Sequence, residues 1–369
     1  MRVIVIGAGL GGLCLAQGLR QAGIEAEVYE RDGDVEARFQ GYRIGLGLPA
    51  MNTLKRCLPE RLHPLLMAVS GELTGDGRVV DEQLNEKGRA PRQDEGVLFD
   101  RHVLRYLLLA GLRDRVHFGK KLDSYEELGD GTVSARFADG TTTTGDVLVG
   151  ADGMGSTVRR QLLPSVEILD TGVRGVIGRT PLTKRFEALV PGWSTLVLGR
   201  DSRLFLGKMP FRRPPHLAAA ELAPDVFLPE TESYLRWVML LPPTRSNVMQ
   251  ADYEGQDGVD VVLGLIENWH PDLREMVRQA DRRNSGLGPI RYANPIEPWP
   301  TRAVTLLGDS AHPMPPGGLG ANLAFFDAAS LSANLVDVQR GASALLPART
   351  TNDGCASMHR PHMEPLCKP

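Results

Sequence analysis

The sequence predicts an α/β protein carrying an inserted, mainly β-sheet domain, and three observations lead there. A β-branched run, RVIVI at 2–6, enters a glycine loop that is followed by a helical pattern and a second strand. Strongly apolar strands recur far downstream, in GDVLVGAD at 145–152 and AVTLLGD at 303–309. Between about 166 and 284 the texture changes to longer, alternating strands with Pro-rich loops at 210–229.

The elements follow in order. After the first strand, Leu13, Ala16, Leu19 and Ala22 recur at helical spacing, Gly23 closes the helix, and AEVYE at 26–30 is the next strand. HVLRYLLLAGL at 102–112 is helical, VHFGKKL and TVSARFAD form a small meander, and MGSTVRRQLL is a helix after the 145–152 strand. STLVLGRDSRLFLGKM and SYLRWVMLLPP supply strands of the insert, whereas VDVVLGLIENW and PDLREMVRQAD are helical. These pieces imply discontinuous domains: 1–70, 98–165 and 285–338 form one nucleotide-binding unit, 71–97 and 166–284 form the insert, and 339–369 is an atypical tail. That tail is rich in Gly, Pro and mixed polar residues without periodicity, so it is expected to be disordered.

Composition narrows the function. A chain of 369 residues with 42% hydrophobic content can bury the cores of two domains. A net charge of −3 and a pI near 6.3 leave no basic footprint, so nucleic acid is not an expected partner. The apolar N-terminus is interrupted by glycines and has strand-then-helix rhythm, unlike a signal peptide. No apolar stretch approaches the roughly 18 residues of a membrane span, so a soluble, cytoplasmic protein is expected. Cys14, Cys57, Cys355 and Cys367 make no disulfide framework, which fits a reducing compartment. Cys355, His359, His362 and Cys367 match no standard zinc spacing and are read as chance composition, with no metal expected.

Gly7, Gly9 and Gly12 form G-x-G-x-x-G directly between a strand and a helix. The first permits a tight turn, the second lets a pyrophosphate approach the backbone, and the third lets the helix pack on the sheet. Leu10 opens that helix, whose N-terminus favours phosphate charge. Glu30 ends the second strand, where a carboxylate can bind ribose hydroxyls, and Arg31 follows it. This combination indicates an NAD-like or FAD-like dinucleotide without choosing between them. Two more loops, GADGMGSTVR at 150–159 and GDSAHPMPPGGLGAN at 308–322, place Asp152 and Asp309 at the carboxyl ends of strands. Each Asp taken singly would also suit a helix cap or turn.

With all three loops, the chain resembles the single-component FAD-dependent monooxygenases of the para-hydroxybenzoate hydroxylase type over about residues 1–338. The resemblance implies a Rossmann-like FAD-binding domain with an inserted substrate domain. It assigns Gly7, Gly9, Gly12 and Glu30 to the ADP part of FAD, and Gly308–Asp309 to the ribityl or pyrophosphate region. Asp152, Gly153 and Arg159 would order a loop used for FAD and NAD(P)H. Arg101, in FDRHVLRYLL, and Arg43, in GYRIGL, would lie near the flavin, although Arg43 also suits a solvated loop cation. A helix starting near Asn322 would turn its amides toward the N1–C2=O edge of the flavin, with small Gly318, Gly320 and Ala321 permitting approach. Pro315 and Pro316 would stiffen the loop beside the ring; Pro315 and His312 are the candidate catalytic side chains of a reaction otherwise carried by the cofactor.

In that family NAD(P)H delivers hydride, O2 gives a C4a-hydroperoxyflavin, and the distal oxygen passes to an electron-rich carbon. An aromatic or polyketide-like small molecule is therefore the expected substrate, and NAD(P)H the co-substrate. A single dinucleotide fingerprint implies that NAD(P)H docks transiently on the FAD unit. A flavin halogenase, a reductase, or an FAD-binding protein without turnover are the alternatives; no W-x-W-x-I-P segment supports the first. A monomer or homodimer is expected.

Overall fold

The computed structural model of the protein describes residues 1–37, 41–91, 95–241, 258–300 and 303–342. Its first strand, Arg2–Ile6, explains why Val3 to Ile6 are apolar without alternation: both faces of its sheet are covered. Val3 and Val5 enter the larger core under the helices, whereas Ile4 and Ile6 pack against the opposite layer. The sheet has five strands in the order Val304–Leu306, Val147–Gly150, Arg2–Ile6, Glu25–Tyr29 and Val116–His117, all parallel. Arg2–Ile6 pairs with Glu25–Tyr29 on one side and with Val147–Gly150 on the other, which puts a change of chain direction at its carboxyl end.

Two helices cover the larger core, Leu10–Gln21 and the long Gly320–Gln339. Their closeness depends on absent side chains. A Cβ at Gly11 would lie 3.1 Å from the Ala324 Cβ, and one at Gly18 would lie 2.8 Å from the Ser332 hydroxyl. On the opposite face stand the antiparallel strands Leu122–Glu127, Val133–Phe137 and Thr142–Gly145. Of the expected meander, VHFGKKL contributes its start to the edge of the parallel sheet and its end to this smaller sheet.

The insert is a seven-stranded sheet ordered Gly286–Tyr292, Leu169–Pro181, Tyr234–Leu241, Arg203–Met209, Thr195–Leu198, Gly77–Asp81 and Glu86–Ala90. The stretch expected as a longer strand turns back on itself, giving the Thr195–Leu198 and Arg203–Met209 hairpin. The Gly286–Tyr292 strand pairs antiparallel with Leu169–Pro181, so this sheet runs past the expected boundary at 284. One face packs on helices Gly258–Leu265 and Pro271–Arg278. Trp237 belongs to that core; its ring lies across Gly178, where a Cβ would meet it at 2.2 Å. The other face carries Ile177, Val238 and Leu196, all partly exposed, and Phe205, which is exposed.

A third sheet, Arg43–Gly47 with Gly96–Asp100 and Gly71–Glu72, joins the two units. No helix among the described residues is long and apolar enough to cross a membrane, and they hold no group of His, Cys, Asp and Glu suited to a metal. Cys14 and Cys57 are buried and unlinked. The atypical tail from 343 onward, with Cys355, His359, His362 and Cys367, lies outside the described residues.

Gln17 shows how the first helix is anchored. Fully buried, it donates from Nε2 to the Leu108 carbonyl at 2.7 Å and the Ala110 carbonyl at 2.9 Å. Gln17→Leu leaves both acceptors without that donor, and a loss of about 1–3 kcal/mol is expected in urea unfolding. An unchanged midpoint would show that water replaces the amide.

Candidate functional site

The glycine loop is built as its sequence requires. Gly7 has a φ of +111° and donates to the Tyr29 carbonyl at 2.8 Å, and a Cβ there would strike the Ala151 carbonyl at 2.4 Å. At Gly12 a Cβ would lie 2.1 Å from the Gly7 oxygen, so helix and strand touch through this residue. Gly9 differs: a Cβ there meets nothing within 4 Å. It caps the Leu10–Gln21 helix without a side-chain bond, leaving the helix amides directed at the open side of the loop.

Glu30 is buried behind this loop. Its Oε2 accepts from the Ala8 amide at 2.9 Å and its Oε1 from the Asp32 amide at 3.0 Å. A carboxylate offers about four lone pairs, so these bonds leave capacity for ribose hydroxyls. Arg31 is exposed and 3.9 Å from Asp32.

Arg105, which the sequence analysis did not single out, is buried beside Glu30. It donates from Nε to the Ala8 carbonyl at 2.8 Å and from Nη1 to the Val35 carbonyl at 2.9 Å, with Nη2 3.5 Å from Glu30. The signal was a single Arg inside the otherwise apolar VLRYLLLA. A cation in such a run is almost never buried without partners.

The second and third loops are tied to each other. Asp152 accepts from the Ser156 hydroxyl at 2.5 Å, the Thr157 amide at 2.7 Å and the Ser310 hydroxyl at 3.2 Å. Gly153, at φ +77°, donates to the Ser310 hydroxyl at 2.8 Å. Buried Arg159 donates to the Ser310 carbonyl at 3.0 Å and to the Met154 carbonyl. Asp152 therefore has the turn-forming geometry open to any Asp after Gly, applied here to order two loops at once.

Gly308, at φ +61°, donates to Asp327 Oδ2 at 2.9 Å. His312 Nε2 stands 3.4 Å from the same carboxylate oxygen. Asp309 points the other way, toward the start of the long helix, where a Cβ at Gly320 would lie 3.1 Å from its Oδ1. Burial pushes the Asp309 carboxyl up, opposed by the positive charge of Arg101 and then of His312. The helix begins at Gly320, two positions before Asn322, and its N-terminus has no side-chain cap. Ala321 lies in its first turn, and the preceding Pro316 and Gly318 are exposed beside partly buried Pro315. The Asn322 side chain is engaged elsewhere. It accepts from the Gly47 amide at 3.0 Å and donates to the Gly45 and Gly318 carbonyls at 3.0 Å, stitching the helix to the Arg43–Gly47 strand.

Asp100 and Arg101 link this region to the insert. Asp100 Oδ1 caps the following helix through the Val103 amide at 2.8 Å, and its Oδ2 accepts from the Tyr234 hydroxyl at 2.8 Å. Arg101 donates its amide to the Tyr42 carbonyl at 2.8 Å, and its positive charge lowers the Asp309 carboxyl. Arg179 spans Tyr42 and Tyr234 at 5.6 and 5.8 Å from the ring centroids and pairs with Asp281 at 2.9 Å. Arg43 leaves the third sheet for the insert, donating to the Trp193 carbonyl at 3.2 Å and the Lys208 carbonyl at 2.9 Å.

The fold and these loops define a dinucleotide-binding protein of the Rossmann-like class, with the ligand cradle at the carboxyl ends of the parallel strands. Residues 5–58 match the family model described as an NAD(P)-binding Rossmann-like domain, and residues 292–350 the one described as an FAD binding domain. The dual O-methyltransferase/FAD-dependent monooxygenase CTB3 of Cercospora beticola is 33% identical over 91% of the chain. The chain spans 42% of that relative's length. The FAD-dependent monooxygenase dbaB of Emericella nidulans is 30% identical across 90% of the chain and 86% of its own length. A crystal structure from Photorhabdus luminescens, assigned to the FAD-containing monooxygenases, is 30% identical with a TM-score of 0.78, covering 97% of this chain and 93% of its own. The chain belongs to the FAD-dependent monooxygenases.

FAD is thus the cofactor of this family of oxidoreductases, and the residues suit it. The space in front of Gly9 is open, so a pyrophosphate could approach the backbone there, and the helices starting at Leu10 and Gly320 lack side-chain caps, leaving N-terminal amides for an anion.

Two outcomes test this construction. Arg105→Met deprives two loop carbonyls and Glu30 of a buried cation, and FAD should bind at least about tenfold more weakly in equilibrium titration; undiminished affinity would remove Arg105 from the loop's support. Burial raises the Asp100 carboxyl in the folded protein. The folded state then keeps a proton that the unfolded chain releases near pH 3.9, so stability falls as pH rises toward the raised value. Asp100→Asn should lack this decline, and its stability relative to the parent should grow from pH 4 upward in denaturant titrations; a pH-independent difference would contradict it.

Proposed function

We propose that this chain is an NAD(P)H- and O2-dependent FAD monooxygenase that hydroxylates an aromatic or polyketide-like small molecule. The observation that carries the proposal is the position of Asp100–Arg101: Asp100 accepts from Tyr234 of the insert sheet, while the Arg101 charge acts on Asp309 near the start of the long helix. Bound FAD would supply the redox chemistry, taking up hydride and using dioxygen to oxygenate a substrate carbon.

Gly7, Gly9, Gly12 and Glu30 would hold the ADP portion, with Leu10 and Arg31 alongside. Asp309 and Gly308 would receive the ribityl and pyrophosphate region, assisted by Arg101. The amides at Gly320, Ala321 and Asn322 would stabilise negative charge at the N1–C2=O edge, because the start of a twenty-residue helix carries positive potential. Asp152, Gly153 and Arg159 would keep the adjoining loop in shape for cofactor and NAD(P)H. Arg43 sits between the cofactor side and the insert, and Pro315 and Pro316 would bound the ring's edge. His312, paired with Asp327, is better suited to holding Gly308 than to touching substrate.

The apolar wall of Ile177, Val238, Leu196 and Phe205 would receive a flat ligand and limit water at the reacting carbon. The Cercospora relative joins an O-methyltransferase to its monooxygenase, and methyl transfer to oxygen requires an oxygenated substrate, which supports a phenolic compound.

The test is reconstitution with FAD, then NAD(P)H oxidation and oxygen uptake with a panel of phenolic and polycyclic compounds under 18O2. Ligand-stimulated consumption and a product heavier by one 18O atom are expected. Tight FAD binding without stimulation by any compound would instead favour a ligand-binding flavoprotein, and a halogenated or hydrogenated product one of the other enzyme classes.

A further inference from the structure

The Leu10–Gln21 helix carries Cys14, Gly18 and Gln21 at i, i+4 and i+7, which sets them on one stripe. All three meet the last residue of a second helix, Leu48–Cys57. Gln21 Nε2 donates to the Cys57 carbonyl at 2.6 Å, and a Cβ at Gly18 would lie 3.5 Å from the Cys57 sulfur. One turn earlier on the stripe, Cys14 donates its S–H to that same sulfur. Gly18 thus leaves the room in which Cys57 approaches Cys14, and both thiols are buried. Neither sulfur has a part in the proposed cofactor or substrate contacts.

The two thiols are chemically unequal. The hydrogen bond from Cys14, with help from Arg56, holds the Cys57 thiol below its ordinary value against the opposing effect of burial, whereas burial pushes the Cys14 thiol up. A sulfur with thiolate character in contact with a protonated one favours oxidation that ends in a disulfide, because the second sulfur intercepts the first before a higher oxide forms. The chain between them carries Glu30, which accepts from the Ala8 amide of the glycine loop, and Gly47, which donates to Asn322 of the long helix. A cross-link would restrict this whole segment in the unfolded chain and so favour the folded cofactor unit.

We propose that Cys14 and Cys57 form a reversible redox-modification site, closed to a disulfide by hydrogen peroxide and reopened by thiols, which staples the first helix of the cofactor unit to the second. In the first step the Cys57 thiolate attacks one peroxide oxygen. The O–O bond breaks, and hydroxide leaves and takes up a proton as water, giving a sulfenic acid. In the second step the Cys14 sulfur attacks the Cys57 sulfur. The S–O bond breaks, the S–S bond forms, and a second water leaves with the Cys14 proton. One peroxide thereby accepts the two electrons that the two thiols lose. Being small and uncharged, peroxide is suited to sulfurs buried from larger oxidants, and a disulfide made this way in a reducing compartment is transient.

The test uses the full chain, loaded with FAD, with Cys355→Ser and Cys367→Ser to remove the tail thiols. Peroxide is added under native conditions, so the result does not depend on whether the protein hydroxylates anything. Remaining thiols are alkylated, and the protein is digested without reductant and mapped by mass spectrometry. A linked Cys14–Cys57 peptide is expected, lighter by two hydrogen atoms than its reduced parts and lost on treatment with dithiothreitol. The melting temperature should rise by at least about 3 °C on oxidation and return on reduction. Cys57→Ala should abolish the rise, and Cys14→Ala should halt Cys57 as a sulfenic acid that dimedone traps. If either variant folds poorly, the peptide map and the reversible melting shift of the protein retaining both thiols decide alone. Free thiols at both positions after native treatment, linkage only in unfolded protein, linkage without a rise in melting temperature, or the same rise in Cys57→Ala would overturn the inference.

Discussion

The hydrogen bond from Tyr234 to Asp100 is the constraint on which the site depends, because it fixes the insert sheet against the nucleotide-binding unit one residue before Arg101, whose charge acts on Asp309. A buried carboxyl here has one oxygen on a helix N-terminus and the other on the sheet, so the two units share one acceptor. The neighbouring Arg43–Gly47 and Gly96–Asp100 strands carry the backbone between them with antiparallel pairing. Displacing one unit would break bonds to a group buried from water, which is costly in a low-dielectric setting.

Around that junction, charge is handled in two ways. Glu30 with Arg105, Asp152 with Ser156 and Ser310, Arg159 with the Ser310 carbonyl, and Arg179 with Asp281 and aromatic rings hold loops and strands in place. Arg43, by contrast, donates to the Trp193 and Lys208 carbonyls, and neither it nor Arg236 forms an ion pair among the described residues. The insert's two faces differ as well, one sealed by Trp237 and its neighbours, the other left apolar but partly open.

Much of the cofactor side was legible in the sequence because it rests on local backbone demands. Gly7 and Gly12 must lack side chains within one turn of chain, and the neighbouring strand and helix follow from apolar periodicity. The start of the Gly320–Gln339 helix was likewise visible to within two residues. Arg105 was missed since its partners, Ala8 and Val35, are distant in sequence, and an Arg in a helix is ordinarily a surface residue. Asn322 was expected to offer its backbone amide to the flavin; that its side chain joins the helix to Gly45 and Gly47 is a pairing no local pattern encodes.

By itself the sequence determined the α/β class, the dinucleotide loop, the two further strand-end loops and the family, since each depends on a few adjacent residues whose backbone geometry is nearly obligatory. Tertiary structure alone decided which of the insert's residues face the core, that Arg43 leaves its strand for Trp193 and Lys208, and that the Arg236 Nε is buried without an acceptor among the described residues. The reason is physical: strand alternation gives two faces without saying which one is covered, and the state of a charge depends on neighbours brought together only by the register of distant strands.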